Sequence, residues 1–393
     1  MAVTWAGERV RVRTPDERHA GDRAARTMWL LAPGLLYVGV RGAGVGLLWV
    51  LSLANDVPFT LQRWDAGWYL QIAAAGYSGV DTGMTDAFGM HHDYTAMAFF
   101  PGYPLLLRLV APEIPQIYLA AAVALSTVVG VVGAYGVARL ASLCGGNRRA
   151  GLLAVALVAG APLSVAYSMP YPESLLVSCV AWTLVAALRR RWLLAGVGAL
   201  LAGLVDPMGG PVIVVVVVAA LLDAFRERAS WDAAVAAVLA PAGMLGYLLW
   251  VGERSGLPGG YFTITSQGWG NEFDFGARTF AWAADQLSSG REAFPVLTAL
   301  LCLAASVALV VTFRRMPWPL WAYTAITLAL VFGHGGVVTD RVRLLLSAFP
   351  LLVWVAVGLG RLRTATAVAA TVSAAGFGLW FSAWALTAQP HSI

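Results

Sequence analysis

The sequence contains no lysine; every one of the 26 residues in its Lys+Arg total is arginine. Charge of either sign is scarce, at 12% of residues, where soluble domains carry roughly a quarter. Cysteine is scarce too. Cys144, Cys179 and Cys302 are widely spaced and lie in or beside apolar runs, which excludes a disulfide framework and thiolate metal-ligand spacing. There is no internal repeat, and no low-complexity linker beyond the N-terminal lead, so a solenoid is excluded as well. What remains is apolar: 59% of residues are hydrophobic and the mean hydropathy is +0.72. With so little charge, lipid rather than water is the main solvent of the surface.

The net charge of +5 and pI near 9.3 do not imply a nucleic-acid partner, because the arginines fall in short clusters between apolar runs. That is the pattern of a membrane protein with its basic loops on the cytoplasmic side. The composition, rich in Ala, Gly and Val with Arg in place of Lys, fits a GC-rich bacterial genome and hence a bacterial plasma membrane. The first 27 residues form an Arg-rich, partly disordered cytoplasmic lead. Its charged stretch from Glu8 to Arg26 is too long for a cleavable signal peptide.

A single transmembrane domain is expected over residues 28–387, followed by a short tail at 388–393. The first span covers about 28–53. Further apolar runs fall near 117–141, 151–168, 173–188, 192–205, 209–224, 232–251, 293–313, 318–333, 343–359 and 365–387. Together these predict an all-α polytopic protein of about eleven transmembrane helices. If the spans alternate, Arg148-Arg149, Arg189-Arg190-Arg191, Arg226 with Arg228, Arg314-Arg315, and Arg361 with Arg363 all lie on the N-terminal, cytoplasmic side. The opposite, outer face then receives loops 54–116, 168–172, 206–208, 252–292 and 334–342.

The unusual residues gather in those outer loops. In Arg63-Trp64-Asp65-Ala66-Gly67-Trp68-Tyr69, the positions Trp64, Trp68, Ile72 and Ala75 follow the apolar stripe of a helix lying in the membrane interface. Asp65 near its start is either a helix cap or a functional carboxylate. Ala98-Phe99-Phe100-Pro101-Gly102-Tyr103-Pro104 reads as a second interfacial segment re-entering the membrane. The preceding His91, His92 and Asp93 are a solvated loop rather than a metal site, since adjacent histidines point apart on a regular element. Glu173, in Tyr171-Pro172-Glu173-Ser174, opens a helix, and Asp206 sits at an equivalent tip. Arg341 and Arg343, at the outer start of a span, run against the charge rule. They serve either as an anion site at a helix N-terminus or as partners of Asp340 or of headgroups. Arg41 lies inside the first span, where an ionisable group marks function by default, on a lipid phosphate or a carboxylate of another helix.

Taken in order, these anchors resemble the PIG-V family of mannosyltransferases, in the GT-C superfamily of polytopic glycosyltransferases. The resemblance is carried by Arg63-Trp64-Asp65-Ala66 with Trp68-Tyr69 and Gly76-Tyr77, and by Phe99-Phe100-Pro101 with Tyr103-Pro104. Tyr171-Pro172-Glu173-Ser174, Gln267-Gly268-Trp269-Gly270, and Arg343 with Ala348-Phe349-Pro350 continue it, so it covers about residues 40–355. One position departs: the family often has Arg-Pro after the fifth span, and this chain has Asp206-Pro207, a reversed charge that bears on how donor or acceptor is held.

The resemblance implies a GT-C-like fold whose long first outer loop, 54–116, carries the catalytic residue, with a second long loop at 252–292. It implies transfer of a sugar, usually mannose, from a polyprenyl phosphate to a hydroxyl of a glycolipid, glycan or protein on the outer face, with inversion. Asp65 matches the catalytic carboxylate. Arg341, Arg343 and Arg41 are candidates for the donor phosphate, and Arg63, Trp64, Trp68, Tyr69, Glu173, Gln267 and Trp269 for the acceptor or for support. No cofactor and no metal is called for, and membrane lipids are the other expected partners. A transporter or lipid flippase is the rival from another class, favoured only by Arg41; a non-catalytic scaffold on a degenerate GT-C fold is a third.

Overall fold

The computed structural model describes residues 15–111, 117–226, 231–290 and 292–389. Expectations for the first fourteen residues, for Arg228 and for the last four fall outside them. A single helix, α1 (Pro15–Ala54), opens the described chain and takes in residues 15–27, expected to be partly disordered. The first long loop carries α2 (Ala66–Ala75) and α3 (Gly102–Val110). Then come α4 (Tyr118–Leu143), α5 (Arg148–Ala159), α6 (Glu173–Leu188), α7 (Trp192–Val205), α8 (Gly210–Arg226) and α9 (Trp231–Ser255). The second long loop holds α10 (Tyr261–Trp269) and α11 (Ala277–Ser289). The chain closes with α12 (Ala293–Thr312), α13 (Trp318–Gly333), the one-turn α14 (Arg341–Leu344), α15 (Pro350–Leu359) and α16 (Thr364–Ala388). No β-strand occurs among the described residues, and the one isolated bridge joins Phe273 to His334.

The fold is all-α and polytopic, as composition demands, but the count of eleven spans is not reproduced. Six helices are long and apolar enough to cross a membrane, or up to seven if the segment Val338–Ala348 and α15, bent 56° from each other, count as one. Three further apolar helices, α6, α7 and α13, are shorter. The expected run 151–168 breaks where α5 stops at Gly160; after Pro162 the chain passes through a left-handed Leu163 into a 3-10 turn, Ser164–Ser168. Hydropathy alone does not mark this break, because all five residues of the turn are buried like those of the helices around it.

Small residues set the close packing of the bundle. A Cβ on Gly243 of α9 would lie 2.2 Å from the Leu200 carbonyl oxygen of α7, and one on Gly196 would lie 2.9 Å from Ala236 Cα. Backbones can approach this closely only without side chains between them, which is how helices in lipid gain contact area. Large apolar residues instead face outward, among them Val238, Leu249, Leu303 and Val310. With six helices long and apolar enough to cross a bilayer, that apolar exterior makes the chain an integral membrane protein.

The first helix of the first long loop does not carry the expected single apolar stripe. In α2 the residues Ala66, Trp68, Tyr69, Leu70, Ile72 and Ala73 are all buried, so this helix is packed inside the protein and is not an interfacial helix with one apolar stripe. The predicted stripe fails at both ends: Trp64 precedes the helix with a left-handed φ of 47°, and Ala75 is exposed.

Candidate active site

A cleft of about 360 Å³ opens where the expected outer loops meet. Each loop contributes a side chain from within it or just beside it: Asp65, Glu173, Asp206, Trp269 and, from the last, His334, Asp340 and Arg343.

Its centre is an ion-pair chain. Arg343 Nη1 donates to Asp65 Oδ2 at 2.9 Å across 278 residues of sequence, and Arg343 Nε lies 3.6 Å from Glu173 Oε1. Arg343 and Glu173 side chains are each 12% exposed and Asp65 28%, so Asp65 is the more accessible of the two paired carboxylates. Glu173 Oε2 is buried with no hydrogen-bond partner. Two carboxylates therefore share one guanidinium, and Arg343 Nε is buried without a hydrogen bond of its own.

Asp65 occupies the N-cap position of α2, but its side chain makes no capping hydrogen bond. Its backbone carbonyl accepts from Trp68 and Tyr69, leaving the carboxylate to turn toward Arg343. The turn before it depends on Trp64, whose left-handed φ costs on the order of 1–3 kcal/mol for a side chain of this size. Tyr171 holds that turn in place. Its hydroxyl donates to the Arg63 carbonyl at 3.2 Å and accepts from the Asp65 N–H at 3.2 Å, gripping the chain on both sides of Trp64. The same ring lies 5.1 Å from Arg343 Cζ, within cation–π range. One side chain thus fixes the carboxylate and its counter-ion together. Tyr171 was legible as part of a motif, but nothing in the sequence marked it as the brace.

Glu173 sits on the first turn of α6 behind Pro172, where the helix dipole favours an anion. The loop before it is tied down by Ser126, whose hydroxyl donates to the Met169 carbonyl and also bonds the Tyr103 hydroxyl. Asp206 is extended, between α7 and a 3-10 turn at Pro207–Gly209, and its Oδ1 accepts the Met208 N–H at 2.8 Å. Burial is the main cause that raises its pKa to about 6, against the opposing pull of that N–H and of Arg343.

Aromatic rings make the remaining wall. Trp68 stacks on Phe99 at 5.2 Å, and Trp269 meets both edge-on at 6.5 and 5.6 Å. Tyr69 stands against Phe99 at 5.3 Å and Tyr103 at 5.7 Å. The Phe99 carbonyl accepts from both Tyr77 and Tyr247, each at 2.8 Å, which anchors the Phe-Phe-Pro segment against α9.

The other sequence candidates are placed elsewhere. Arg41 does not reach the cleft. Its guanidinium, 4% exposed, donates to Ser168 Oγ, Ser164 Oγ and the Ala159 carbonyl, stitching α1 to the broken segment after α5. Arg341 is fully buried and is the hub of the 334–340 loop, bonding Asp340 Oδ1 at 3.0 Å, His334 Nε2 at 3.1 Å and the carbonyls of His334 and Val337. Burial and the nearby Arg341 charge depress the His334 pKa, keeping the ring neutral with Nε2 as acceptor. Of the three arginines assigned to a donor phosphate, only Arg343 faces the cleft. Arg63 donates to the Leu386 carbonyl at 2.7 Å, and Trp64 packs among the residues around Phe294 and Phe381. Trp68 lies behind the wall, Tyr69 and Trp269 line it, and Gln267 is exposed outside it. His91 Nδ1 is engaged by the Met84 carbonyl at 2.6 Å and His92 stacks on Tyr94. Among the described residues no three His, Cys, Asp or Glu side chains cluster as metal ligands.

No family model and no curated protein matches this chain. Among solved structures it is similar to the archaeal oligosaccharyltransferase AglB from Archaeoglobus fulgidus in complex with an inhibitory peptide and a dolichol-phosphate. That likeness has TM-score 0.48 and 14% identity, over 89% of this chain and 56% of that one. It is also similar to ArnT from Cupriavidus metallidurans bound to undecaprenyl phosphate, with TM-score 0.49 and 15% identity, over 86% of this chain and 62% of that one. The chain thus spans 56–62% of the length of these two proteins. Likeness at this level leaves the function to the side chains of the cleft.

Proposed function

We propose that the chain is a GT-C-type glycosyltransferase that takes a sugar from a polyprenyl phosphate and passes it to an acceptor hydroxyl on the outer membrane face. The observation that carries this reading is the pairing of Asp65 with Arg343 in an aromatic-walled cleft. Mannose is the sugar that the sequence resemblance implies, and a glycolipid, glycan or protein is the acceptor.

The chemistry follows from what these groups can do. Asp65 accepts the acceptor's hydroxyl proton while that oxygen bonds to the anomeric carbon. The bond from this carbon to the phosphate oxygen breaks, and polyprenyl phosphate leaves with the electron pair. Positive charge gathers on the sugar ring in between, next to Asp65 and Glu173. Negative charge gathers on the departing phosphate, which the guanidinium charge of Arg343 in the cleft wall offsets. A phosphate is a stable leaving group, so no general acid is required. One displacement inverts the anomeric configuration. The rival transport reading rested on Arg41, and that side chain is fully engaged by neutral oxygens.

The test is Asp65→Asn assayed with a polyprenyl-phosphate mannose donor in detergent. Transfer should fall by roughly 10²–10⁴-fold, the usual worth of a positioned base, while the protein still unfolds cooperatively near the wild-type temperature. Near-normal turnover would sink the assignment.

A further inference from the structure

A second and larger space, about 620 Å³, lies between α1, α4 and α5. It belongs to the end of the bundle away from the cleft. Tyr118, at the start of α4, shares one apolar cluster with Tyr69 and Phe99 of the cleft wall. At about 1.5 Å per residue, α4 rises about 30 Å from there to Arg139, which lines the second space. That rise matches the hydrocarbon thickness of a bilayer, so this groove and the cleft open at opposite membrane surfaces.

Two close helix contacts bound the groove. A Cβ on Gly34 of α1 would lie 3.1 Å from Val131 Cγ1 and 3.2 Å from the Tyr135 hydroxyl, so α1 touches α4 there. One turn earlier Leu30, 70% exposed, borders the open space instead. A Cβ on Gly151 of α5 would lie 3.3 Å from the Ala138 carbonyl oxygen, which closes the floor between α4 and α5. Tyr135, Arg139 and Ser142 follow one another at i, i+4 and i+7 on a single face of α4, and Arg148 joins them from the first turn of α5. No carboxylate lines the groove, and none of the salt bridges among the described residues involves Arg139 or Arg148. The neighbouring Arg149 is used differently, donating to Thr364 Oγ1 and to the Gly360 and Leu362 carbonyls.

We propose that this groove is a binding site for one anionic phospholipid of the leaflet opposite the cleft, with its phosphate at Arg139 and Arg148 and an acyl chain along Leu30, Pro33 and Leu152. The charge rule for membrane loops asks for arginines at this surface, but not for two of them on one apolar groove. Two cations above an apolar floor at headgroup depth match the two ends of a lipid, and basic pockets between spanning helices hold anionic headgroups. A soluble phosphate would leave the apolar floor to water. A zwitterionic headgroup would bring a cation of its own toward the arginines. The bound lipid touches α1, α4 and α5 together, and its binding is independent of the reaction assigned to the cleft.

The experiment titrates the full chain in neutral detergent with dioleoyl phosphatidylglycerol or dioleoyl phosphatidylcholine and counts bound lipid by native mass spectrometry. Wild type should hold phosphatidylglycerol about 10–30-fold tighter than phosphatidylcholine. Arg139→Gln and Arg148→Gln should each weaken phosphatidylglycerol about fivefold and leave phosphatidylcholine unchanged, and the double variant should lose the preference. Arg315→Gln removes an exposed arginine outside the groove, expected on the same membrane side, and should bind as wild type does. Equal affinities for the two lipids in wild type would overturn the proposal whether or not the variants fold. So would an undiminished preference in the double variant, or a loss in Arg315→Gln equal to that in Arg139→Gln, which would reduce the effect to general surface charge. Displacement of phosphatidylglycerol by inorganic phosphate alone would make the site one for a free anion and overturn the lipid assignment.

Discussion

Arg41 and Arg343 are both buried arginines in apolar surroundings, but neutral oxygens satisfy the first and carboxylates the second. The Arg41 guanidinium donates to two serine hydroxyls and a carbonyl contributed by one short segment, residues 159–168. Its positive charge meets no carboxylate and every contact is internal, so it ties helices together. Arg343 joins residues far apart in sequence, over-subscribes its charge with two carboxylates and lines a cleft. An intramembrane charge alone does not signal chemistry. A charge whose partners are incompletely matched, at an opening, does.

The comparison can be broken by exchanging the two losses. Arg343→Ala should lower kcat/KM for the donor by about 10²–10³-fold, mainly through donor KM, because the phosphate loses its cation. An unchanged donor KM would remove the phosphate role. Arg41→Met should do the reverse. Stability should fall by about 2–4 kcal/mol, read as a lower midpoint of thermal unfolding in detergent, because several charge-assisted hydrogen bonds are lost together. Its donor and acceptor KM should stay within about twofold of wild type. A raised donor KM in that variant would restore Arg41 to the site. The smallest effect is expected from Tyr171→Phe, which removes the hydroxyl bridging Arg63 and Asp65 and leaves the ring under Arg343. That should cost about 1 kcal/mol of stability and lower kcat up to about tenfold with both KM values nearly unchanged, the signature of a misplaced base.

Much of the fold was legible because lipid exposure and burial both demand apolar residues, and the arginine clusters divided the loops into two sets. The set expected to face outward is the one that builds the cleft, and Asp65, Glu173 and Arg343 were all singled out from it. Other parts were not legible, for physical reasons. Arg341 and Arg343 are two residues apart with the same side chain, and only the fold decides that one is sealed in a loop hub and the other reaches a carboxylate. The helical stripe through Trp64 and Ala75 failed because a left-handed residue interrupts it, and an aromatic carries no sequence mark of that conformation. The break after α5 was hidden because Arg41, far away in sequence, bonds the serine hydroxyls of a turn that is as buried as the helices beside it.

The distance along the chain between Asp65 and Arg343 has a consequence for synthesis. At ordinary elongation rates the 278 residues between them take on the order of tens of seconds to make. Asp65 throughout that interval, and Glu173 once it has been made, exist without their counter-ion. Arg343 arrives on a one-turn helix near the end of the chain, so it acts as a closing pin for carboxylates that have waited unpaired. A chain stalled or cut before α14 would hold most of its helices but lack the guanidinium that pairs Asp65 and Glu173.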